Sequence, residues 1–255
     1  MKIALTGKGG VGKSTIAAAL AILLAEKGGR VVALDADPDA NLASSLGIPH
    51  EEQKKIVTIS EQIDLIEERT GAKVGQYGQV FKLNPEVSDV TDKYAYDHRG
   101  VSLLVLGAVK NGGGGCACPE NTFIRALVTD LVLFKDETLI MDMEAGIEHL
   151  GRATSEGVDV MLVVVEPGQR SVDCAESIYR MAGQIGIKKI FVIANKVTSE
   201  EDEEYLKEAL PGKEIIAFLP YAADLRNADR DAVCVYDCMD DDTKKKMEEI
   251  LRRIS

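Results

Sequence analysis

The sequence predicts an α/β fold: a doubly wound, mostly parallel sheet of seven or eight strands with helices on both faces. Three observations lead there. Short apolar, β-branched runs alternate along the chain with segments of helical period. The runs are apolar at successive positions, as strands buried between two helix layers must be. A glycine-rich turn follows the first run and opens the first long helical segment, the order of a βαβ unit.

The elements follow in chain order. "KIALT" (2–6) is the first strand and 13–27 the first helix; "VVALD" (31–35) is the second strand, and 59–69 reads as a helix. The stretch 70–100 has no clear period and reads as an excursion of loops with room for a hairpin. "SLLVLG" (102–107) precedes a helix over 120–134, which Pro119 starts, since proline is favoured at the first helical position and needs no N–H partner there. "TLIMDM" (138–143), "VMLVVVE" (160–166), "KIFVIAN" (189–195) and "EIIAFL" (214–219) complete the strands, with helices at 171–185, 199–210 and 241–254. In such a sheet the ligands lie at the carboxyl ends of the strands. With no internal repeat and no long linker, residues 1–255 are expected to form one domain.

Composition narrows the function. The formal net charge of −12 opposes sequence-independent attraction to phosphodiester polymers, so nucleic acid is not expected as the main partner. No apolar run approaches the roughly 18 residues that span a bilayer. Five cysteines cannot all pair within one chain, and the opening "MKIALTGKGG" has no signal-peptide pattern. The expected compartment is the reducing cytoplasm, with thiols free or metal-bound.

"GKGGVGKST" has the strand, loop and helix context that a phosphate loop requires. Gly7, Gly9, Gly10, Val11 and Gly12 curl the backbone so that N–H groups converge on a phosphate, aided by the positive end of the helix. Lys13 is placed to reach the β- and γ-phosphates, Ser14 to ligate Mg²⁺ and Thr15 to hold the α-phosphate. ATP or ADP with Mg²⁺ is the implied ligand set. Lys8 is additional to an ordinary phosphate loop and marks the deviant form of the Walker A motif.

On "KGGVGKST" the chain resembles the MinD/ParA/nitrogenase-iron-protein class of P-loop ATPases, and the resemblance runs over nearly its whole length. It implies a homodimer that sandwiches ATP, with Lys8 reaching the partner subunit's nucleotide to stabilise charge on the transferred phosphoryl group. In "LDADPDANLASSLG", Asp35 and Asp37 lie two apart and face the same way if the strand continues. By the resemblance, Asp37 positions or deprotonates the attacking water and Asp35 lies near the magnesium shell; Asp39 and Asn41 are switch residues. Asp-Pro and Asn are also ordinary turn and cap residues. "LIMDMEAGIEH" places Asp142 as the Walker B acid, with Gly146 as the second switch hinge; Glu144, Glu148 and His149 read as a solvated loop. Asn195, Pro220 and Asp224 are carried over to the adenine pocket on the resemblance alone.

"GGGGCACPEN" (112–121) then finds a use. Cys116 and Cys118 are too close for an easy disulfide, which leaves chelation or structural accident. At a helix N-terminus both thiols favour the thiolate, the form that binds metal. One chain offers two sulfurs, and a twofold dimer offers four, the number for a tetrahedral zinc-type site or an iron–sulfur cluster. Cys174, Cys234 and Cys238 read as small buried hydrophobes, with "CVYDC" spaced for a minor site.

Within the class, the Cys-x-Cys placement resembles the CooC-type accessory ATPases that insert nickel into carbon monoxide dehydrogenase. That implies an ATP-driven metallochaperone holding nickel or zinc between two copies of the chain, with carbon monoxide dehydrogenase as client. The nitrogenase iron protein instead uses two widely spaced cysteines per subunit, and no second cysteine follows the second switch here. Two rivals share the nucleotide site: an iron–sulfur redox ATPase, and a MinD/ParA-like positioning ATPase with a membrane- or DNA-binding surface. For the latter, Met247, Ile250, Leu251 and Ile254 in the tail form an apolar stripe, which reads first as a terminal helix packed on its own sheet.

Overall fold

The computed structural model describes residues 1–76, 78–108, 118–145 and 152–255. From the amino end run β1 (Lys2–Thr6), α1 (Lys13–Glu26), β2 (Val31–Ala36), α2 (Leu42–Ser45), α3 (His50–Gln53), a 3-10 turn (Ile59–Glu61), α4 (Ile63–Thr70), α5 (Val90–Tyr94), β3 (Tyr96–His98) and β4 (Val101–Val105). The carboxyl half holds α6 (Pro119–Leu133), β5 (Thr138–Met143), α7 (Arg152–Ser155), β6 (Val160–Val165), α8 (Gln169–Ile185), β7 (Ile190–Val197), α9 (Glu200–Ala209), β8 (Ile215–Pro220), α10 (Ala223–Arg230) and α11 (Asp241–Ile254).

The strands form one eight-stranded sheet in the order β3-β4-β2-β5-β1-β6-β7-β8. All neighbours are parallel except β3, which pairs antiparallel with β4. Period-2 geometry splits the strand residues between two cores. Val160, Leu162 and Val164 face α1 and α11, while Met161, Val163 and Val165 face α6 and α8. Helix α1 is alanine-rich and buried from Ile16 to Leu23, as a helix apolar all round must be. In α11, Met247, Ile250, Leu251 and Ile254 are all buried, so the tail stripe is a core face packed against α1 and β8.

One sequence expectation differs from the structure for a tertiary reason, and another is met. The helix expected over 59–69 is divided: Ser60 N–H donates to the Leu106 carbonyl at 2.9 Å and Thr58 bridges Val105, so the sheet edge takes the backbone that would have continued the helix. Gln62 breaks the run at φ −82°, ψ 67°. Within 70–100, a hairpin does form at the end: Arg99 and Gly100, at φ 50° and 79°, make the two-residue turn between β3 and β4.

Candidate functional site

The phosphate loop leaves β1 under tight constraint. A Cβ on Gly7 would lie 2.3 Å from the Val164 carbonyl oxygen, so only glycine lets the loop pass this close to β6. Gly12 caps α1 at φ 96°, and a Cβ there would lie 2.4 Å from Asn195 Nδ2. That same amide donates to the Val11 carbonyl at 2.8 Å, fixing the loop against the end of β7. The first N–H groups of α1 have no intrahelical acceptor and face a cavity of about 460 Å³ lined by Gly9, Gly10, Lys13, Ser14 and Thr15, with Asp37, Asn41 and Glu144 opposite. This is an anion cradle built from backbone.

The acids stand where β2 and β5 end side by side, Asp35 level with Asp142. Lys13 is 5% exposed; its Nζ donates to the Lys8 carbonyl at 3.4 Å and stands 3.7 Å from Asp37 Oδ2. Asp35 accepts from the Asp37 N–H at 3.2 Å and from the Leu42 N–H at 3.0 Å, so both of its oxygens bind the segment that follows β2. Burial, and then the charge of Asp142, push its carboxyl up to about 7. Burial also pushes Asp142 up to about 6, against the Ser14 hydroxyl and Lys13, which favour its charged form.

Asp142 is fully buried, and neither of its oxygens has a hydrogen-bond partner of ordinary geometry. A buried carboxylate beside Ser14, whose hydroxyl lines the phosphate cradle, fits a largely hydrated Mg²⁺. Among the described residues no group of three or more His, Cys, Asp or Glu side chains could hold a metal ion.

Sequence reasoning missed one cluster. Lys8 Nζ lies 3.3 Å from Glu166 Oε1, and Lys196 Nζ lies 3.3 Å from Glu166 Oε2. Lys196 occupies an irregularity in the β7–β8 pairing at φ 59°, and its ammonium also donates to the Gly10 carbonyl. The signal was present, since Glu166 follows the carboxyl end of β6 and Lys196 lies in the last residues of β7, where ligand sites form.

Of the remaining expected residues, Pro220 ends β8 and Asp224 opens α10; both are exposed and stand outside the phosphate cavity. The Tyr221 N–H donates to the Val197 carbonyl at 3.0 Å, tying this segment to the strand that carries Asn195. Cys118 is the N-cap of α6, half-buried, with Pro119 at the first helical position as expected. Cys116, Gly146, Glu148 and His149 lie outside the described residues. Cys234 is buried, and burial pushes its thiol and that of Cys174 up, which suits packing rather than ligation.

The chain matches the CbiA family, the CobQ/CobB/MinD/ParA nucleotide binding domain, over residues 2–233. It is 46% identical over 224 residues to an uncharacterised ATP-binding protein of Methanocaldococcus jannaschii, covering 87% of this chain and 85% of that one. It is 44% identical over 237 residues to the carbon monoxide dehydrogenase accessory protein CooC of Rhodospirillum rubrum, covering 93% and 90%. In structure it is similar to the MinD cell division protein of Aquifex aeolicus, with a TM-score of 0.67 and 23% identity over 99% of this chain and 96% of that one.

Proposed function

Because the chain belongs to the CobQ/CobB/MinD/ParA nucleotide-binding family of P-loop ATPases, we propose that it is a homodimeric, cytoplasmic metallochaperone. In this reading residues 1–255 act as one ATPase domain that helps insert a divalent metal, nickel first, into carbon monoxide dehydrogenase. The observation that carries the reading is the 44% identity, over 93% of the chain, to a carbon monoxide dehydrogenase accessory protein. No helix among the described residues is long and apolar enough to cross a membrane.

The phosphate loop binds the nucleotide, with Lys13 on the β- and γ-phosphates and Thr15 on the α-phosphate. Ser14 and Asp142 would hold Mg²⁺, which when bound neutralises charge on the transferring phosphoryl group. Asp35 holds the first switch by its two backbone hydrogen bonds. Asp37, beside Lys13, orients the attacking water and accepts its proton. Lys8 leaves Glu166 and crosses to the partner subunit's nucleotide. Asn195, Pro220 and Asp224 border the base.

The cargo sits on Cys116 and Cys118 of both subunits. Four thiolates suit nickel or zinc, and metal is lost as the sulfurs protonate. The test is size-exclusion with elemental analysis, with and without Mg·ATP, on the native chain and a Cys116→Ala, Cys118→Ala variant. About one metal per native dimer and none in the variant is expected. Retention of metal by the variant removes the reading, and a brown dimer with visible absorption points to an iron–sulfur cluster instead.

A further inference from the structure

Away from the nucleotide site, a groove of about 580 Å³ runs between the segment 83–87 and the outer face of α6. Its lining is mixed: Leu83, Pro85 and Val87 on one side and Ala126 and Phe134 on the other supply apolar surface among polar residues. Leu83 is 69% exposed and Phe134 73%, side chains large enough to cost solubility when left bare. The groove also holds an acid. Asp130 lines it, and its Oδ2 is buried with no hydrogen-bond partner.

The neighbouring cation does not satisfy Asp130. Lys135 Nζ donates to the Ser88 carbonyl at 2.8 Å and stands 3.9 Å from Asp92. Arg125 lines the groove but forms no ion pair with Asp130. Burial holds the Asp130 carboxyl above its ordinary value; the charge of Lys135 opposes this only in part, and Glu86 and Asp92 add repulsion. An incoming ammonium or guanidinium would supply a counter-charge while its neighbours cover Leu83 and Phe134.

We propose that this groove docks the client metalloenzyme, through an apolar segment of it that presents a lysine or arginine to Asp130. The inference rests on the metallochaperone reading and adds where the acceptor sits. Charge complementarity and position argue for it together. The groove begins at Asn121, one turn into the helix that Cys118 caps, and Asp130 lies roughly 18 Å along the helix axis from that cap at 1.5 Å per residue. Docking here sets the acceptor beside the thiol that gives up the metal.

The experiment uses the full-length native chain and two variants, Asp130→Asn and the double variant Leu83→Ser, Phe134→Ser. Each is titrated against purified, nickel-free carbon monoxide dehydrogenase in the presence of Mg·ATP, with ATPase rate and self-association recorded in parallel. The variant side chains lie outside the nucleotide site, and the two apolar ones are exposed, so ATPase rate and folding are expected to match the native chain. Client affinity is expected to fall about tenfold or more in each variant, the effect of losing an anchoring residue. Native-like client binding by both variants overturns the groove and leaves the metallochaperone reading standing. No client binding by the native chain overturns both. Loss of self-association in the variants makes the groove a subunit interface and overturns the proposal.

Discussion

Asp142 lies at full burial beside Ser14, next to Asp35 on the adjoining strand. In the unfolded chain both carboxyls ionise near pH 4. Folded, they keep their protons until about 6 for Asp142 and about 7 for Asp35. The folded state therefore binds more protons than the unfolded state across that window. Without nucleotide and Mg²⁺, stability falls as pH rises from about 4 to 7. Asp142→Asn removes the charge responsible. Its melting temperature is expected to exceed the native value at pH 8, by about 2–4 °C for each kcal/mol relieved, with the advantage gone at pH 4. Hydrolysis of Mg·ATP is expected to fall at least about a hundredfold. Equal melting shifts at pH 4 and pH 8 would show that charge repulsion is not the cause. At this scale the sequence was legible where chemistry is contiguous, as in Lys13, Ser14 and Thr15. The pairing of Glu166 was harder to read, because its partners Lys8 and Lys196 are 158 and 30 residues away and only its place after a strand marked it.

Among the elements, β6, β7 and the phosphate loop meet in the Lys8–Glu166–Lys196 cluster. If Lys8 acts across a dimer, its tie to Glu166 opposes assembly. The pair is partly exposed, Lys8 by 38%, so the tie is worth no more than about 1 kcal/mol. Glu166→Gln is therefore expected to lower the protein concentration at which ATPase activity is half-maximal by about two- to fivefold. The double variant Lys8→Ala, Glu166→Gln should show no such gain; a gain without Lys8 would assign the effect elsewhere. The strands were readable because burial on both faces leaves a continuous apolar run. The division at Gln62 was not, because it depends on Ser60 bonding to Leu106, a contact that no local pattern encodes. The groove on α6 escaped for the same reason: Leu83 and Phe134 look like core residues until the fold leaves them outside.

For the whole molecule, net charge opposes association. Each copy carries a formal −12, so two copies approach against like charge. Salt shortens the screening length from about 30 Å at 0.01 M to about 10 Å at 0.1 M. Nucleotide-dependent dimerisation is expected to strengthen over that range, as measured by sedimentation at fixed Mg·ATP. Weakening with salt would mean that ion pairs across the interface outweigh the overall repulsion.

Arg99, at the turn before β4, bonds Asp237 at 2.6 and 3.1 Å and Glu26 at 3.2 Å. It thereby pins the hairpin to the end of α1 and to the segment before α11, all at the sheet edge remote from the phosphate loop. A chain stitched together at its base leaves any rearrangement to the opposite rim, where the phosphate loop lies.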